Sequence, residues 1–283
     1  AARWIWAPSL LSAQSYRTAL SVSPPARFED ILYVPHGVDA HVYTVGDQAT
    51  ARRALSTTLG FDLADAFLIV SVAANKGTPS RKGFYETFAA FKLFAEVHAD
   101  ARLYVHTDPT GTANGEDLSN IMRLVGSKRE RVHFPPIYPY LTGGIKPEHL
   151  ANVYRAADVF LSTSHGEGFG LGLGEAQLCG IPVVAPKNTA QSQLCQSGHL
   201  VDCVPYMPFD GATFWRRPSV PSTAAALEAV YEARRQGEAA APSGFALPFP
   251  QEIRKRVLGY DVNSVFETHM KPALERIERD LKR

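Results

Sequence analysis

The 283-residue sequence is short of several things, and each shortage excludes a class of protein. It has only three cysteines, Cys179, Cys195 and Cys203, an odd number in apolar surroundings. That excludes a disulfide framework and reads as reduced core thiols of a cytoplasmic protein. It has almost no net charge, with 29 Lys plus Arg against 28 Asp plus Glu. No global basic field exists to attract nucleic acid or an anionic membrane, so any bound anion must be held by a local site. No apolar run approaches the roughly 20 residues of a membrane-spanning helix. The longest, Phe67 to Ala74, has the length of a strand. There is no D-x-D pair and no His or Cys spacing that suits zinc, so no metal is expected.

What is present is ordinary globular composition, 45% hydrophobic and 20% charged, arranged as alternating strands and helices. The first 40 or so residues read as a strand (Trp4 to Ala7), a helix capped by Ser9 and running to about Leu20, a break at Ser23-Pro24-Pro25, and a strand at Ile31 to Val34. One βαβ unit cannot cover its own apolar faces. The expectation is therefore the tail of a domain whose front is absent, the alternative being an edge extension of a complete protein. From Phe67 the alternation is regular. Strands are expected at Phe67 to Ala73, Arg102 to His106, Arg131 to Phe134, Val159 to Ser162, Ile181 to Ala185 and His199 to Val204. Helices are expected at Lys82 to Val97, Glu116 to Val125, Pro147 to Ala157 and Gly170 to Cys179, with a short one near Gln191. Phe84, Phe88, Phe91 and Phe94 recur at helical spacing and read as core. This is a parallel sheet covered on both faces, whose ligands bind beyond the carboxyl ends of the strands. Gln236 to Pro250 reads as a linker. After it, apolar residues from Val262 to Leu281 follow a helical period that Pro272 interrupts, predicting two helices or one kinked helix.

Two loops concentrate the chemistry. Ser164 to Glu175 (SHGEGFGLGLGE) follows a strand and opens a helix. Its glycines let a ligand approach the backbone, and the helix start offers unpaired N–H groups to an anion. Glu167 precedes the helix and Glu175 lies about a turn and a half inside it. Carboxylates accept hydrogen bonds from hydroxyls, so a ligand with hydroxyls at each end and phosphate between would fit, as a nucleotide-sugar does. The second loop, Asn75 to Gly83, places Lys76, Arg81 and Lys82 beyond the end of the first strand, where a diphosphate would need compensating charge. Near misses narrow the field. Phe84 stands where a P-loop needs lysine. The glycines at 166, 168, 170, 172 and 174 never give G-x-G-x-x-G, and Ser164 is not in a G-x-S-x-G elbow. His106, His133 and His199 read simply as strand residues.

The combination resembles the retaining glycosyltransferases of family 4, with the GT-B fold of two facing Rossmann-like domains. Glu167 to Glu175 is similar to that family's E-x7-E motif, continued by Glu175 to Val184 (EAQLCGIPVV). Lys82-Gly83 matches its strand–K-G segment, with Lys76 near a usual arginine. Pro35 to Asp39 (PHGVD) is similar to its interdomain sequence, and Ala156 to Phe160 followed by Ser164 to its motif-bearing strand. The resemblance implies three parts: residues 1–45 as the tail of a largely missing N-terminal acceptor domain with the interdomain linker, 46–235 as the donor-binding Rossmann-like domain, and 236–283 as linker and kinked C-terminal helix. It implies a metal-independent retaining hexosyltransferase, without a cofactor and with a nucleotide-diphosphate-sugar as co-substrate. Glu167 would contact the transferred sugar and Glu175 the ribose. Lys76 and Lys82 would hold the diphosphate with N–H groups of Gly168, Phe169 and Gly170. Arg81 would supply the fork that Lys76 lacks, and the backbone at Pro136 and Ile137 would face the base. Acceptors would be glycan, lipid or small molecule, and any membrane contact would come through the missing domain. With that domain missing, Trp4 would be left exposed, the C-terminal helix would lose its partner, and the chain alone would bind donor weakly and transfer little. The residues themselves also admit a non-catalytic nucleotide-sugar or sugar-phosphate binding domain, or a structural subunit.

Overall fold

A computed structural model describes residues 4–22, 30–207, 215–236 and 247–282. The chain opens with β1 (Trp4–Ala7), α1 (Leu10–Val22) and β2 (Asp30–Tyr33), with β1 and β2 forming a two-stranded parallel sheet. The Ser9 hydroxyl accepts the Ser12 N–H, as a helix cap does. The Ser23-Pro24-Pro25 break lies outside the described residues.

α2 (Gln48–Leu59) follows, a helix the periodicity did not predict. It is fixed at its ends. Asp47 accepts the Thr50 N–H at 2.8 Å, and Gly60 closes it in the left-handed region. Only Ala51 and Leu55 are buried along it, which is too few to make a legible apolar stripe.

The main sheet is built from β3 (Phe67–Val72), β4 (Ala101–His106), β5 (Val132–His133), β6 (Val159–Leu161), β7 (Val183–Pro186) and β8 (Gly198–Val201). All pair in parallel, in the order β5-β4-β3-β6-β7-β8. The chain winds outward from β3 to one edge, then returns beside β3 and winds to the other. This is the doubly wound Rossmann order, and its crevice opens between the carboxyl ends of β3 and β6.

Alternating side chains of one strand feed two cores. Leu68 and Val70 join a cluster under α2, α6 (Pro147–Ala156) and α7 (Leu171–Leu178). Phe67 and Ile69 join a second under α3 (Phe84–Val97), α4 (Leu118–Val125) and α9 (Val220–Gln236). Phe84, Phe88, Phe91 and Phe94 are each 2% exposed or less, so the aromatic stripe is core. Each such ring contributes roughly 1.5–3 kcal/mol of burial free energy.

Two short helices, α5 (Ile137–Leu141) and α8 (Thr189–Leu194), sit in the loops after β5 and β7. The single strand expected over His199 to Val204 is two. The chain leaves the sheet at Asp202, and β9 (Cys203–Tyr206) pairs antiparallel with β10 (Trp215–Pro218). Most of the expected linker, 237–246, lies outside the described residues, and α10 (Pro250–Val257) begins at its end with Pro250 in the first helical turn.

The C-terminal segment is one kinked helix: α11 (Val262–Val265), a widened π-type turn over Phe266–Met270, and α12 (Lys271–Leu281). The widened turn sits just before Pro272, whose ring and missing N–H disfavour regular helix there. This helix does not lose its partner, and Trp4 is half-buried instead of exposed. Ala273 packs on Leu32 and Val34 of the first βαβ unit with Trp4, Met270 and Ile277, and Arg276 pairs with Asp30 at 2.8 Å. The apolar side of β2 is covered from within the chain.

Candidate active site

Two loops meet at the crevice, one after β3 and one after β6. Gly83 makes the meeting close. It caps α3 at φ +68, and a side-chain carbon there would lie 2.2 Å from the Thr163 carbonyl oxygen, so only glycine fits. The His165 N–H donates to the Arg81 carbonyl at 2.7 Å, and the Thr87 and Thr163 hydroxyls meet at 2.6 Å. Gly170, at φ +98, turns the second loop into α7, whose first turn lines the crevice.

Glu167 sits at the junction. Lys82 Nζ lies 2.5 Å from its Oε1 and Arg81 Nη1 lies 2.8 Å from its Oε2. Burial pushes its carboxyl up, and the Lys82 ammonium with the Arg81 guanidinium more than reverses this, so the net shift is downward. Its backbone is pinned as well, the N–H donating to the Thr189 hydroxyl at 3.0 Å.

Glu175 is treated differently. No cation pairs with it among the described residues; the Tyr154 hydroxyl donates to its Oε2 at 2.6 Å, and Tyr43 hydrogen-bonds it too. Burial raises its carboxyl above the usual range, and the tyrosine hydrogen bonds offset only part of that.

Lys82, Glu167, Gly168, Phe169, Gly170 and Glu175 line one cavity of about 610 Å³. Phe169 contributes backbone, since its ring is buried between His36 and Tyr260 at centroid distances of 5.4 and 5.6 Å. Arg81 reaches the cavity's edge only through Glu167. Lys76 is exposed on the loop and is not among the lining residues. Pro136 lines an adjoining apolar cavity of about 270 Å³ with Tyr104, Pro139 and His149, and Ile137 begins α5 beside it, 39% exposed.

His106 links the two cavities, lining both. It is the last residue of β4, and its Nδ1 meets the Tyr104 hydroxyl at 3.0 Å. Burial pushes its imidazole down to about 4, so it is neutral at physiological pH. In the sequence it reads only as a strand residue. Its position at a strand's carboxyl end was the available signal. Tyr154 and Tyr43 were also missed, and nothing local to them points at Glu175.

This architecture matches known proteins. Residues 66–206 match the family model described as glycosyl transferases group 1. Those residues are similar to a glycosyltransferase group 1 domain. The chain is also similar to D-inositol 3-phosphate glycosyltransferases, at 35% identity over 159 residues for the Geodermatophilus obscurus protein, 54% of this chain and 32% of that one. The Actinosynnema mirum relative is 35% identical over 173 residues, 59% of this chain and 37% of that one. The chain thus spans about a third of the length of these curated relatives. Among solved structures, Anabaena HepE in complex with UDP and glucose superposes with a TM-score of 0.66 at 19% identity, covering 97% of this chain and 64% of that one. Sucrose-phosphate synthase from Thermosynechococcus elongatus gives 0.65 at 20% identity, covering 99% and 59%. The chain therefore has the GT-B type of fold, with one Rossmann-like sheet of six parallel strands.

Proposed function

We propose that the chain carries the donor half of a family 4 glycosyltransferase, which moves a sugar from a nucleotide-diphosphate-sugar to an acceptor with retention of configuration and without a metal. The observation that carries the reading is the convergence of Lys82, Glu167 and Glu175 on one cavity at the point where the strand order reverses. In it the donor's diphosphate lies against Lys82 and the N–H groups of Gly168 to Gly170, where charge develops on the leaving group. Lys82 has three N–H donors, and one is turned to Glu167, which leaves capacity for phosphate oxygens. Glu167, kept ionised by its two cations, accepts hydrogen bonds from hydroxyls of the transferred sugar. Glu175 accepts from the ribose hydroxyls, and the base lies toward Pro136 and Ile137. Lys76, exposed on its loop, meets the diphosphate only if that loop closes. The HepE complex with UDP and glucose makes UDP-glucose the first donor to try. The acceptor is a glycan, a lipid or a small molecule, and the enzyme works in the cytoplasm.

The test is product formation from UDP-sugars by the natural full-length protein, with the anomeric configuration read by NMR. The expected result is a retained product, unaffected by EDTA, whose formation is strongly slowed in Glu167→Ala while nucleotide binding persists. An inverted product, loss of activity with EDTA, or full transfer by Glu167→Ala would overturn the corresponding part.

A further inference from the structure

Glu167 also lines a second cavity, of about 940 Å³, whose opposite wall is the β9–β10 hairpin. Trp215 and Arg216 face it from the hairpin, and His165, Asn188 and Thr189 face it from the loops after β6 and β7. The hairpin is fastened to the glutamate loop, because the Arg216 N–H donates to the His165 carbonyl at 3.2 Å. Arg217, one residue on, reaches under it to Glu86 at 2.6 Å.

Three features of this cavity call for a ligand. The first is His165, which is 5% exposed. Its Nε2 lies 3.1 Å from Oε2 of the buried Glu86. A carboxylate there requires Nε2 to carry the proton, and in the neutral ring that leaves Nδ1 as an acceptor. That Nδ1 is buried with no hydrogen-bond partner among the described residues. A buried acceptor left unpaired is costly, and a ligand hydroxyl would satisfy it. The second is Trp215, whose ring is held tilted against those of His165 and Tyr206 at 5.6 and 6.2 Å between centroids, which gives the cavity an indole wall of the kind that covers the apolar face of a sugar ring. The third is charge. Arg216 is exposed and has no carboxylate partner among the described residues, whereas the only carboxylate among the described lining residues, Glu167, is already held by Arg81 and Lys82. The wall is therefore net positive, and a guanidinium fork suits a carboxylate or phosphate.

We propose that this cavity binds an acidic sugar residue, a hydroxylated ring with one carboxylate or phosphate substituent. Its ring lies on Trp215, a hydroxyl donates to His165 Nδ1, and its anionic group pairs with Arg216. That it is the acceptor's subsite rests on the proposed role of Glu167. That it binds an acidic sugar does not, so the two can fail separately.

The test is a titration of the intact chain with glucuronate, glucose 6-phosphate and glucose, followed by saturation-transfer NMR, with and without UDP. At least one acidic sugar should bind ten-fold or more tighter than glucose, and the tighter of the two names the anionic group. Arg216→Ala, an exposed site whose folding is checked by thermal melting, should erase that preference. Trp215→Ala should weaken all three. UDP should not compete. Equal binding of glucose, unchanged preference in Arg216→Ala, competition by UDP or no binding of any sugar would each overturn the proposal. Loss of transfer in Glu167→Ala with acidic-sugar binding retained bears on the other reading alone.

Discussion

The two glutamates of the candidate site stand eight positions apart in sequence and live in opposite electrostatic conditions. Glu167 is gripped by two cations and its carboxyl is shifted down, whereas Glu175 meets tyrosine hydroxyls and is shifted up. The difference teaches that the motif pairs a fixed charge with a hydrogen-bond acceptor instead of duplicating one function. A carboxylate held by cations suits a place where charge changes during reaction, and one met by hydroxyls suits recognition of neutral hydroxyls.

Mutation at the two ends should break that comparison unequally. Glu167→Ala is expected to cost the most, about 10²–10³ in transfer rate by analogy with removal of one charge-stabilising group, with donor affinity nearly kept; steady-state kinetics beside calorimetry checks it. Lys82→Ala should come next, lowering both rate and donor affinity, because it removes the cation proposed to hold the diphosphate and leaves Glu167 to Arg81. It should also move the acid limb of the pH–rate profile upward, as Glu167 loses the partner that depresses its carboxyl. Glu175→Gln should weaken donor binding by about ten-fold, the range of a charge-assisted hydrogen bond. Tyr154→Phe is the smallest, a loss of about 1 kcal/mol of stability for one hydrogen bond, read as a drop in Tm.

The pH dependence sharpens the contrast. Glu167 has a folded value below its unfolded one, so its ion cluster stabilises the fold above the ordinary glutamate value and loses that contribution as pH falls through the depressed one. Glu175 has a folded value above its unfolded one. Its contribution is complete below the ordinary value and is lost as pH rises through the raised one. Glu175→Gln should therefore melt higher than the parent at neutral pH, with the gap closing in acid. Melting curves at several pH values test this, and a constant gap would contradict it.

Much of this was legible in the sequence, and the reason is local. β3, β4, β6 and β7 are short apolar runs that sit in the sheet interior, and α3 carries four phenylalanines on one face. Glycines mark both loops because the backbone turns into the left-handed region at Gly83 in one and at Gly170 in the other. Illegible parts depend on distant partners. α2 buries too little to show a period. Nothing at Asp202 marks where the chain leaves the sheet, because the strand that captures β9 lies beyond it. The tyrosines on Glu175 come from before α2 and from α6, and His106 gains its place only when the cavities form around it.

The closure at the chain's two ends has a kinetic consequence. Val38 and Asp261 bridge backbone to backbone, and the Ala40 N–H reaches the Asp261 carboxylate across 221 positions. Such a clasp can only fasten after the intervening Rossmann sheet has formed, because the loop entropy must be paid first. The opening βαβ unit, whose β2 is packed under α12, should then be the last piece to acquire protection in a pulsed hydrogen-exchange refolding experiment, long after the strands flanking Glu167.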